Sequence, residues 1–227
     1  MRYSFKFLHI QNCNKPVSSQ ARKENCSAIA GQAMVINMEL KGKRVLFLGS
    51  SVTYGAKSGG VSFAEITAEM CGFECVKYAV SGTTLADVSE RSYVSRLKTV
   101  DTAQNFDLFV CQLSTNDAGK LQDFIGTEAA MRFIIEYVKE KFGCKIAFYT
   151  SARTFDSPRY EELVGIMYRL QKEYGFAVLD LWNDPEMNRS AITEEQLARY
   201  MSDRAHPTYE GYAEWWAPKF VEFYKSL

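Results

Sequence analysis

Short apolar segments recur along the chain at a nearly constant interval. Five of them are rich in β-branched and aromatic residues, and they span 45–48, 75–80, 108–113, 145–150 and 176–181. Their ends lie 31 to 37 residues apart, which is the length of a strand with its crossover helix. Strands that are apolar on both sides of the pleat are typical of a parallel sheet covered by helices on both faces. The pattern therefore predicts an α/β fold with five parallel strands.

Between the predicted strands, apolar residues recur with helical spacing. One such face consists of Leu163, Ile166, Met167, Leu170 and Tyr174. Ser157 and Pro158 precede it as a cap and a first-turn proline, and Gly175 ends it. A second face consists of Met131, Ile134, Ile135 and Val138. Aromatic residues near the end of the chain predict a terminal helix that packs on the sheet, with a kink at Pro218; they are Tyr212, Trp215, Trp216, Phe220 and Tyr224.

The first part of the chain does not follow this rhythm. Residues 18–28 are polar and indicate a loop, while residues 34–40 alternate in a way consistent with an extra edge strand. We therefore divide the chain into an N-terminal extension over residues 1–37 and a single α/β domain over residues 38–227.

Composition and charge narrow the classes of protein that fit this fold. Hydrophobic residues make up 47% of the chain and charged residues 24%, as in an ordinary globular protein. Lys and Arg together number 27, as do Asp and Glu, so the basic excess of a typical nucleic-acid-binding protein is missing. No segment approaches the roughly 18 apolar residues of a membrane-spanning helix. We therefore expect that the protein does not bind nucleic acid and does not span a membrane.

The cysteines and the N-terminal residues indicate the cellular compartment of the protein. The first residues lack the uninterrupted apolar core of a secretory signal, which predicts a cytoplasmic protein. The six cysteines are then expected to be reduced thiols. Cys71 and Cys75 are separated by three residues, but no second Cys or His pair lies near them in the sequence to complete a zinc site. We predict no bound metal.

Polar residues that could carry chemistry follow the predicted strands. Ligands of an open parallel sheet bind at the carboxyl ends of its strands. The segments found there are GSSVTYG (49–55), VSGTT (80–84), STND (114–117) and SARTF (151–155), and SDRAHP (202–207) precedes the last helix. The chain has two histidines, His9 and His206, and only His206 lies within the predicted α/β domain.

These residues suit ester hydrolysis. A serine hydroxyl becomes a nucleophile when an imidazole removes its proton and a carboxylate orients that imidazole. Ser51 lies on the turn after the first strand. Asp203 and His206 are three residues apart, a spacing at which one helical turn brings two side chains together. Gly82 can bring a backbone N–H close to a substrate, and the Asn116 amide can donate to a developing oxyanion.

At these positions the chain resembles the SGNH hydrolases, also called the GDSL esterase/lipase family. The nucleophile block G-D-S-x-T-x-G corresponds to residues 49–55, the glycine block to residues 81–83, the G-x-N-D block to residues 114–117, and the D-x-x-H-P block is intact at residues 203–207. All of them occur in order. The resemblance covers residue 45 to the end and implies a flavodoxin-like three-layer α/β/α sandwich, in agreement with the strand rhythm.

Carried over to this sequence, the resemblance implies a catalytic role for five residues. They are Ser51 as nucleophile, His206 as general base and then acid, Asp203 as its orienting partner, and Gly82 and Asn116 as oxyanion donors together with the Ser51 N–H. No cofactor is implied. The chain departs from the family pattern at Ser50, where Asp is usual, and at Ser114, where Gly is usual. We expect the Ser50 hydroxyl to bond within the turn and Ser114 to narrow the strand end.

Two functions that use similar loops fit less well. GSSVTYGAKS has five residues between its glycines and Ala56 before Lys57, so both spacings of a P-loop are wrong. An FMN carrier of flavodoxin-like fold would leave Asp203 and His206 without a role.

The expected function is hydrolysis of small acyl esters, with acetyl groups on a carbohydrate as the favoured case. The expected partner is a small-molecule ester, and the sequence makes no prediction of oligomeric state. A catalytically silent binding protein of the same fold remains an alternative, as does a lysophospholipase or thioesterase of the same family. The pocket is expected to include Tyr54, Asp117, Arg153 and Phe155.

Overall fold

The computed structural model describes residues 40–227, and within them five parallel strands form a single sheet. The strands are β1 (Arg44–Gly49), β2 (Glu74–Ala79), β3 (Leu108–Gln112), β4 (Lys145–Tyr149) and β5 (Ala177–Leu179). Their spatial order is β2-β1-β3-β4-β5, which is the flavodoxin-like order. All neighbouring pairs are parallel. The predicted α/β class and five-stranded parallel sheet are confirmed, and every predicted strand overlaps an observed one.

Helices follow each strand. They are α1 (Ser51–Tyr54), α2 (Phe63–Cys71), α3 (Tyr93–Leu97), α4 (Thr115–Lys120), α5 (Ile125–Lys141), α6 (Pro158–Tyr174), α7 (Glu194–Tyr200) and α8 (Ala217–Lys225). Two 3₁₀ turns, Pro185–Met187 and Arg189–Ala191, follow β5, and a π-helical segment, Gly211–Trp216, leads directly into α8.

The alternation of side chains along each strand divides the core into two layers. In β1, Leu46 and Leu48 pack in one cluster with α3, α5 and α6, whereas Val45 and Phe47 pack in the other with α2 and α8. All four side chains are fully buried. Both faces of the sheet are thus covered, as a sheet of apolar parallel strands requires.

Local capping explains where α6 begins and ends. The Ser157 hydroxyl accepts a hydrogen bond from the Tyr160 N–H, and Pro158 occupies the first turn. Gly175 ends the helix at φ 73°, a left-handed conformation that glycine adopts without strain. The predicted helix ends are confirmed here. The predicted apolar faces of α5 and α6 are also buried, except that Tyr174 is only partly buried.

The terminal helix differs in detail from the prediction. Tyr212, Trp215 and Trp216 lie in the π-helical segment and are buried, as are Phe220 and Tyr224 in α8. Packing of this aromatic stripe on the sheet is confirmed. Pro218 lies in the first turn of α8, directly after the π-helical turns, where its missing N–H is most easily accommodated.

The predicted edge strand and the extension before it lie outside the described residues, and the domain boundary at residue 38 stays a prediction. Among residues 40–227, no helix is long and apolar enough to cross a bilayer.

Candidate active site

The turn after β1 is held by a polar side chain from the neighbouring strand. The Gln112 Oε1 atom, at the end of β3, accepts hydrogen bonds from the Ser50 N–H at 2.8 Å, the Ser50 hydroxyl at 3.2 Å and the Thr53 hydroxyl at 2.9 Å. Gly49 has no room for a side chain, because a Cβ there would lie 1.7 Å from Thr53 Oγ1. The expectation that the Ser50 hydroxyl bonds within the turn is wrong, since its partner lies on β3.

Ser51 is the first residue of α1, and its hydroxyl faces the imidazole of His206. The distance from Ser51 Oγ to His206 Nε2 is 2.8 Å. On the other side of the ring, His206 Nδ1 lies 2.8 and 2.9 Å from the two carboxylate oxygens of Asp203. An ionised carboxylate only accepts hydrogen bonds, so Nδ1 carries the proton and Nε2 is free to accept the Ser51 hydroxyl proton.

Asp203 and His206 lie on a loop before the last helix, and the backbone hydrogen bonds of that loop, not a helical turn, bring their side chains together. The backbone N–H groups of Ala205 and His206 both donate to Asp203 Oδ1 at 2.9 Å. The Ser202 N–H also donates to the His206 carbonyl at 2.9 Å, which closes the loop. Asp side chains favour such turns because they can accept from backbone N–H groups two or three residues ahead.

The electrostatics of this loop keep Asp203 ionised. Partial burial by itself raises the pKa of the carboxyl group. The hydrogen bonds from the Ala205 N–H and from His206 outweigh it, and the net effect lowers the pKa below its ordinary value of 3.8. The carboxylate can therefore orient the imidazole throughout the neutral range.

Three neighbouring strands, β2, β1 and β3, end beside this pair. The loop after β2 contains Gly82, whose φ of 75° is in the left-handed region. The Asn116 amide, which follows β3, donates one hydrogen to the Thr83 carbonyl at 3.0 Å and thereby ties the two loops together. Within residues 40–227, no backbone or side-chain hydrogen bond engages the N–H of Ser51 or of Gly82. These donors remain free for a ligand.

Asp117 does not line a pocket, contrary to expectation. Its side chain is fully buried, and its two oxygens accept hydrogen bonds from the Leu85 N–H at 2.8 Å and the Ala86 N–H at 2.9 Å. The Thr127 hydroxyl donates to the same carboxylate at 2.8 Å. Asp117 therefore shapes the loop that carries Gly82.

A cavity of about 520 Å³ borders the loop that carries Asp203 and His206. Arg153, Phe155, Asn188 and Arg204 are among its lining residues, whereas Ser51 and His206 are not. The expectation that Arg153 and Phe155 line the substrate pocket stays a prediction. The Thr154 hydroxyl donates to the Arg204 carbonyl at 2.6 Å and joins the cavity wall to the loop. Tyr54 lies instead beside Lys77, whose ammonium is 5.6 Å from the ring centre.

The Ser114 side chain is fully buried, and its hydroxyl has no hydrogen-bond partner within residues 40–227. The expectation that Ser114 narrows the strand end stays a prediction. Ser114 precedes α4 without a side-chain capping bond.

Across the part of the chain that the structure describes, no group of three His, Cys, Asp or Glu side chains could hold a metal ion. Cys71 and Cys75 are buried and form no disulfide, and burial raises the pKa of Cys71. Such thiols pack as small apolar groups.

Gln112 and the loop-shaping role of Asp117 were missed by sequence reasoning. A signal for Gln112 exists, since it is the one polar residue in the run LFVCQL (108–113). Its partner could not be known before the order of the strands was known.

The fold is a three-layer α/β sandwich whose polar residues converge at the carboxyl edge of the sheet, as in enzymes of this architecture. The model of the GDSL-like Lipase/Acylhydrolase family matches residues 47–214, and the chain belongs to this family, which is also known as the SGNH hydrolases. The protein is therefore an ester-hydrolysing enzyme. No curated protein sequence matches the chain.

Solved structures show the same fold at low sequence identity. A protein from Desulfitobacterium hafniense DCB-2, assigned to the lipolytic G-D-S-L family, superimposes with a TM-score of 0.66 and 18% identity, over 80% of this chain and 99% of its own. A family two carbohydrate esterase from Clostridium thermocellum, in complex with cellohexaose, superimposes with a TM-score of 0.62 and 14% identity, over 81% of this chain and 64% of its own. The acetyl xylan esterase Est2A from Butyrivibrio proteoclasticus superimposes with a TM-score of 0.59 and 12% identity, over 82% of this chain and 64% of its own.

Proposed function

We propose that the protein is a serine esterase that hydrolyses small acyl esters through Ser51, His206 and Asp203. One observation carries the proposal: the Ser51 hydroxyl lies 2.8 Å from His206 Nε2, while Nδ1 of the same ring lies 2.8 Å from an ionised carboxylate. Ser51 is buried, with 8% of its surface exposed, and its hydroxyl faces the His206 imidazole. This is the geometry that activates a serine for acyl transfer.

The first half-reaction forms an acyl-enzyme. Ser51 Oγ attacks the ester carbonyl as His206 Nε2 takes its proton, which gives a tetrahedral oxyanion. The N–H groups of Ser51 and Gly82 and the second amide hydrogen of Asn116 donate to that oxyanion. His206 then protonates the departing alkoxide, so the alcohol leaves as the C–O bond breaks.

The second half-reaction releases the acid. A water molecule gives a proton to His206 Nε2 and attacks the acyl carbon, and the same three donors stabilise the second oxyanion. His206 returns the proton to Ser51 Oγ as the acyl bond breaks. The imidazolium formed in each step is stabilised by Asp203, which stays ionised.

The favoured substrates are acetyl esters of carbohydrates. The cavity beside the loop of Asp203 and His206 is lined by both polar and apolar groups, which include Arg153, Asn188 and Arg204 and the ring of Phe155. Sugar hydroxyls need such hydrogen-bonding groups, and an aromatic ring packs well against a sugar face. Two of the structural neighbours are carbohydrate esterases, which agrees with this substrate class.

The test is hydrolysis of 4-nitrophenyl acetate by the wild-type protein, Ser51→Ala and Ser226→Ala. Ser226 is an exposed serine whose hydroxyl bonds only the Phe223 carbonyl, and it controls for loss of a serine hydroxyl. We expect Ser51→Ala to lose at least about 10⁴-fold in kcat with an unchanged melting temperature. A serine-directed fluorophosphonate should label Ser51 in the wild-type protein and nothing in Ser51→Ala.

Equal hydrolysis by wild type and Ser51→Ala would refute the assignment. A folded wild-type protein that neither turns over nor becomes labelled would favour a silent binding protein of this fold. A substrate series then separates the remaining alternatives. Highest kcat/KM on acetylated xylo-oligosaccharides supports the carbohydrate class, whereas a preference for lysophospholipids or acyl thioesters replaces it.

A further inference from the structure

A buried arginine lies beneath the site and has no assigned role. Arg96, in α3, is only 3% exposed. Its Nη2 atom donates to the Gly49 carbonyl at 2.9 Å and to Thr83 Oγ1 at 3.1 Å, and its Nε atom donates to the Arg91 carbonyl at 3.1 Å. Its Nη1 atom donates to the Tyr78 carbonyl. Within residues 40–227, Arg96 forms no salt bridge, so every polar acceptor it contacts is neutral.

This burial is costly for the fold. A charge that leaves water without a counter-ion loses hydration energy that neutral acceptors only partly replace. Burial lowers the pKa of Arg96 to about 10, so the guanidinium is still charged at neutral pH. The Tyr93 ring, 5.0 Å away, offers a weak cation–π contact. Residues kept at such a cost are frequently functional.

The acceptors of Arg96 are the loops that carry the oxyanion donors. Gly49 lies two residues before Ser51, and Thr83 directly follows Gly82. The carbonyl of Thr83 in turn accepts the Asn116 amide at 3.0 Å. One planar guanidinium thus joins the turn after β1 to the loop after β2, and through Thr83 it reaches the third donor.

We propose that Arg96 is a positioning residue for ester hydrolysis, which clamps the Ser51 turn to the Gly82 loop and places a buried positive charge behind the oxyanion site. The proposal rests on the proposed function. It assigns two effects to one side chain: the fork of N–H donors fixes the spacing of the oxyanion donors, and the charge stabilises the oxyanion.

The charge has a second consequence, which a purely structural arginine would not produce. A charge that stabilises the oxyanion acts on the transition state and not on the bound neutral ester. Removal of the charge should therefore lower kcat while KM changes little.

Other charged and titratable groups near Arg96 stay the same in each variant. They are Arg91 and Tyr93 on its own segment, Cys111 on β3, Asp117 on α4, and Lys120, which donates to the Gly82 carbonyl at 2.5 Å. Burial raises the pKa of both Tyr93 and Cys111, so these two remain neutral in the assay range. Asp203 is the charged group that faces His206.

The experiment compares Arg96→Met, Arg96→Lys and Arg132→Met in 4-nitrophenyl acetate hydrolysis, with Ser51→Ala alongside. Arg132, on α5, is a surface arginine paired with Glu128 and Glu173, so it controls for the same chemical change. We expect Arg96→Met to lose about 100-fold in kcat with KM within about threefold. Arg132→Met should match wild type.

Arg96→Lys separates the clamp from the charge. Lysine keeps the charge but lacks the planar fork, so we expect a loss in kcat of about tenfold with KM within about threefold. A folded Arg96→Met with wild-type kcat would overturn the proposal. So would an Arg96→Lys with full activity, or a loss of activity in Arg96→Met that comes from a higher KM and not from a lower kcat.

Replacement variants and a comparison with Ser51→Ala complete the test. If Arg96→Met does not fold, Arg96→Lys and Thr83→Val take its place. Thr83→Val removes one acceptor of the clamp, and an unchanged kcat in both variants would refute it. An inactive wild type would contradict the proposed function itself, whereas an active wild type, an inactive Ser51→Ala and a fully active Arg96→Met would contradict only the role of Arg96.

Discussion

At the scale of single residues, the hydrogen bonds to Asp203 decide the charge of its carboxylate. Its carboxylate accepts from two backbone N–H groups and from the His206 ring. These bonds favour the charged form more than partial burial disfavours it, so the pKa lies below 3.8. The Asp203 carboxylate is therefore ionised throughout the neutral range.

The low pKa of Asp203 predicts the shape of the pH–rate profile. On the acid side, log kcat/KM for 4-nitrophenyl acetate should fall with a slope of one, because the low pKa of Asp203 leaves a single group, the base, to take up a proton. Asp203→Asn should lose about 10⁴-fold in kcat, since an amide can hold the wrong imidazole tautomer. An acid limb with a slope of two in the wild-type protein would mean that the carboxylate titrates together with the imidazole.

At the scale of secondary-structure elements, the start of the terminal helix determines where the loop of Asp203 and His206 lies. Gly211 begins the π-helical segment against the backbone of Tyr200, the last residue of α7. A Cβ at Gly211 would lie 2.0 Å from the Tyr200 carbonyl oxygen. The loop of residues 202–207 spans the space between these two elements, so any separation of them displaces it.

Gly211→Ala should therefore lower both stability and activity. We expect the free energy of unfolding to fall by about 2–4 kcal/mol, since backbone atoms must move to relieve the clash. Gly165→Ala on α6 is the matched control, because a Cβ there meets nothing within 4 Å. It should stabilise the protein by about 0.5–1 kcal/mol. Urea denaturation measures both, and a Gly211→Ala protein as stable as wild type would contradict this packing.

At the scale of the whole molecule, one face of the sheet is covered by a cluster of aromatic rings. The Phe220 ring stacks on Phe63 with 3.8 Å between centroids and meets the edge of Tyr149 at 5.2 Å. Tyr149 also bonds the Thr53 hydroxyl at 2.6 Å, so the cluster reaches the floor of the turn after β1. This layer contributes to stability, whereas the residues proposed for chemistry lie at the sheet edge.

Phe220→Ala tests this separation. Removal of the ring should lower the free energy of unfolding by about 3–5 kcal/mol, while kcat of the protein that remains folded at 25 °C stays within about threefold of wild type. Phe223, on the same helix, is only partly buried, and Phe223→Ala should cost less than half as much. Thermal denaturation followed by circular dichroism gives the order. Equal losses for both variants would contradict the tighter packing of Phe220 in this layer.

Much of the architecture could be predicted because it depends on local patterns. Apolar runs at intervals of 31 to 37 residues specify strand and crossover alternation wherever they occur. The ends of α6 follow from Ser157, Pro158 and Gly175, which act on their own neighbours. The positions of Ser51, Asp203 and His206 could be anticipated for a related reason, since they lie in short motifs after strands or before the last helix.

What the sequence determined by itself was the α/β class, the strand count and the motif residues. The contacts that hold the motifs together were decided only by the tertiary structure. Gln112 reaches Ser50 across 62 residues, Asp117 reaches Ala86 across 31, and Arg96 reaches Gly49 across 47. Periodicity describes which face of an element is buried, but it carries no information about which elements become neighbours. That information came from the order β2-β1-β3-β4-β5, which places β1 between β2 and β3 and so brings their loops together at one edge.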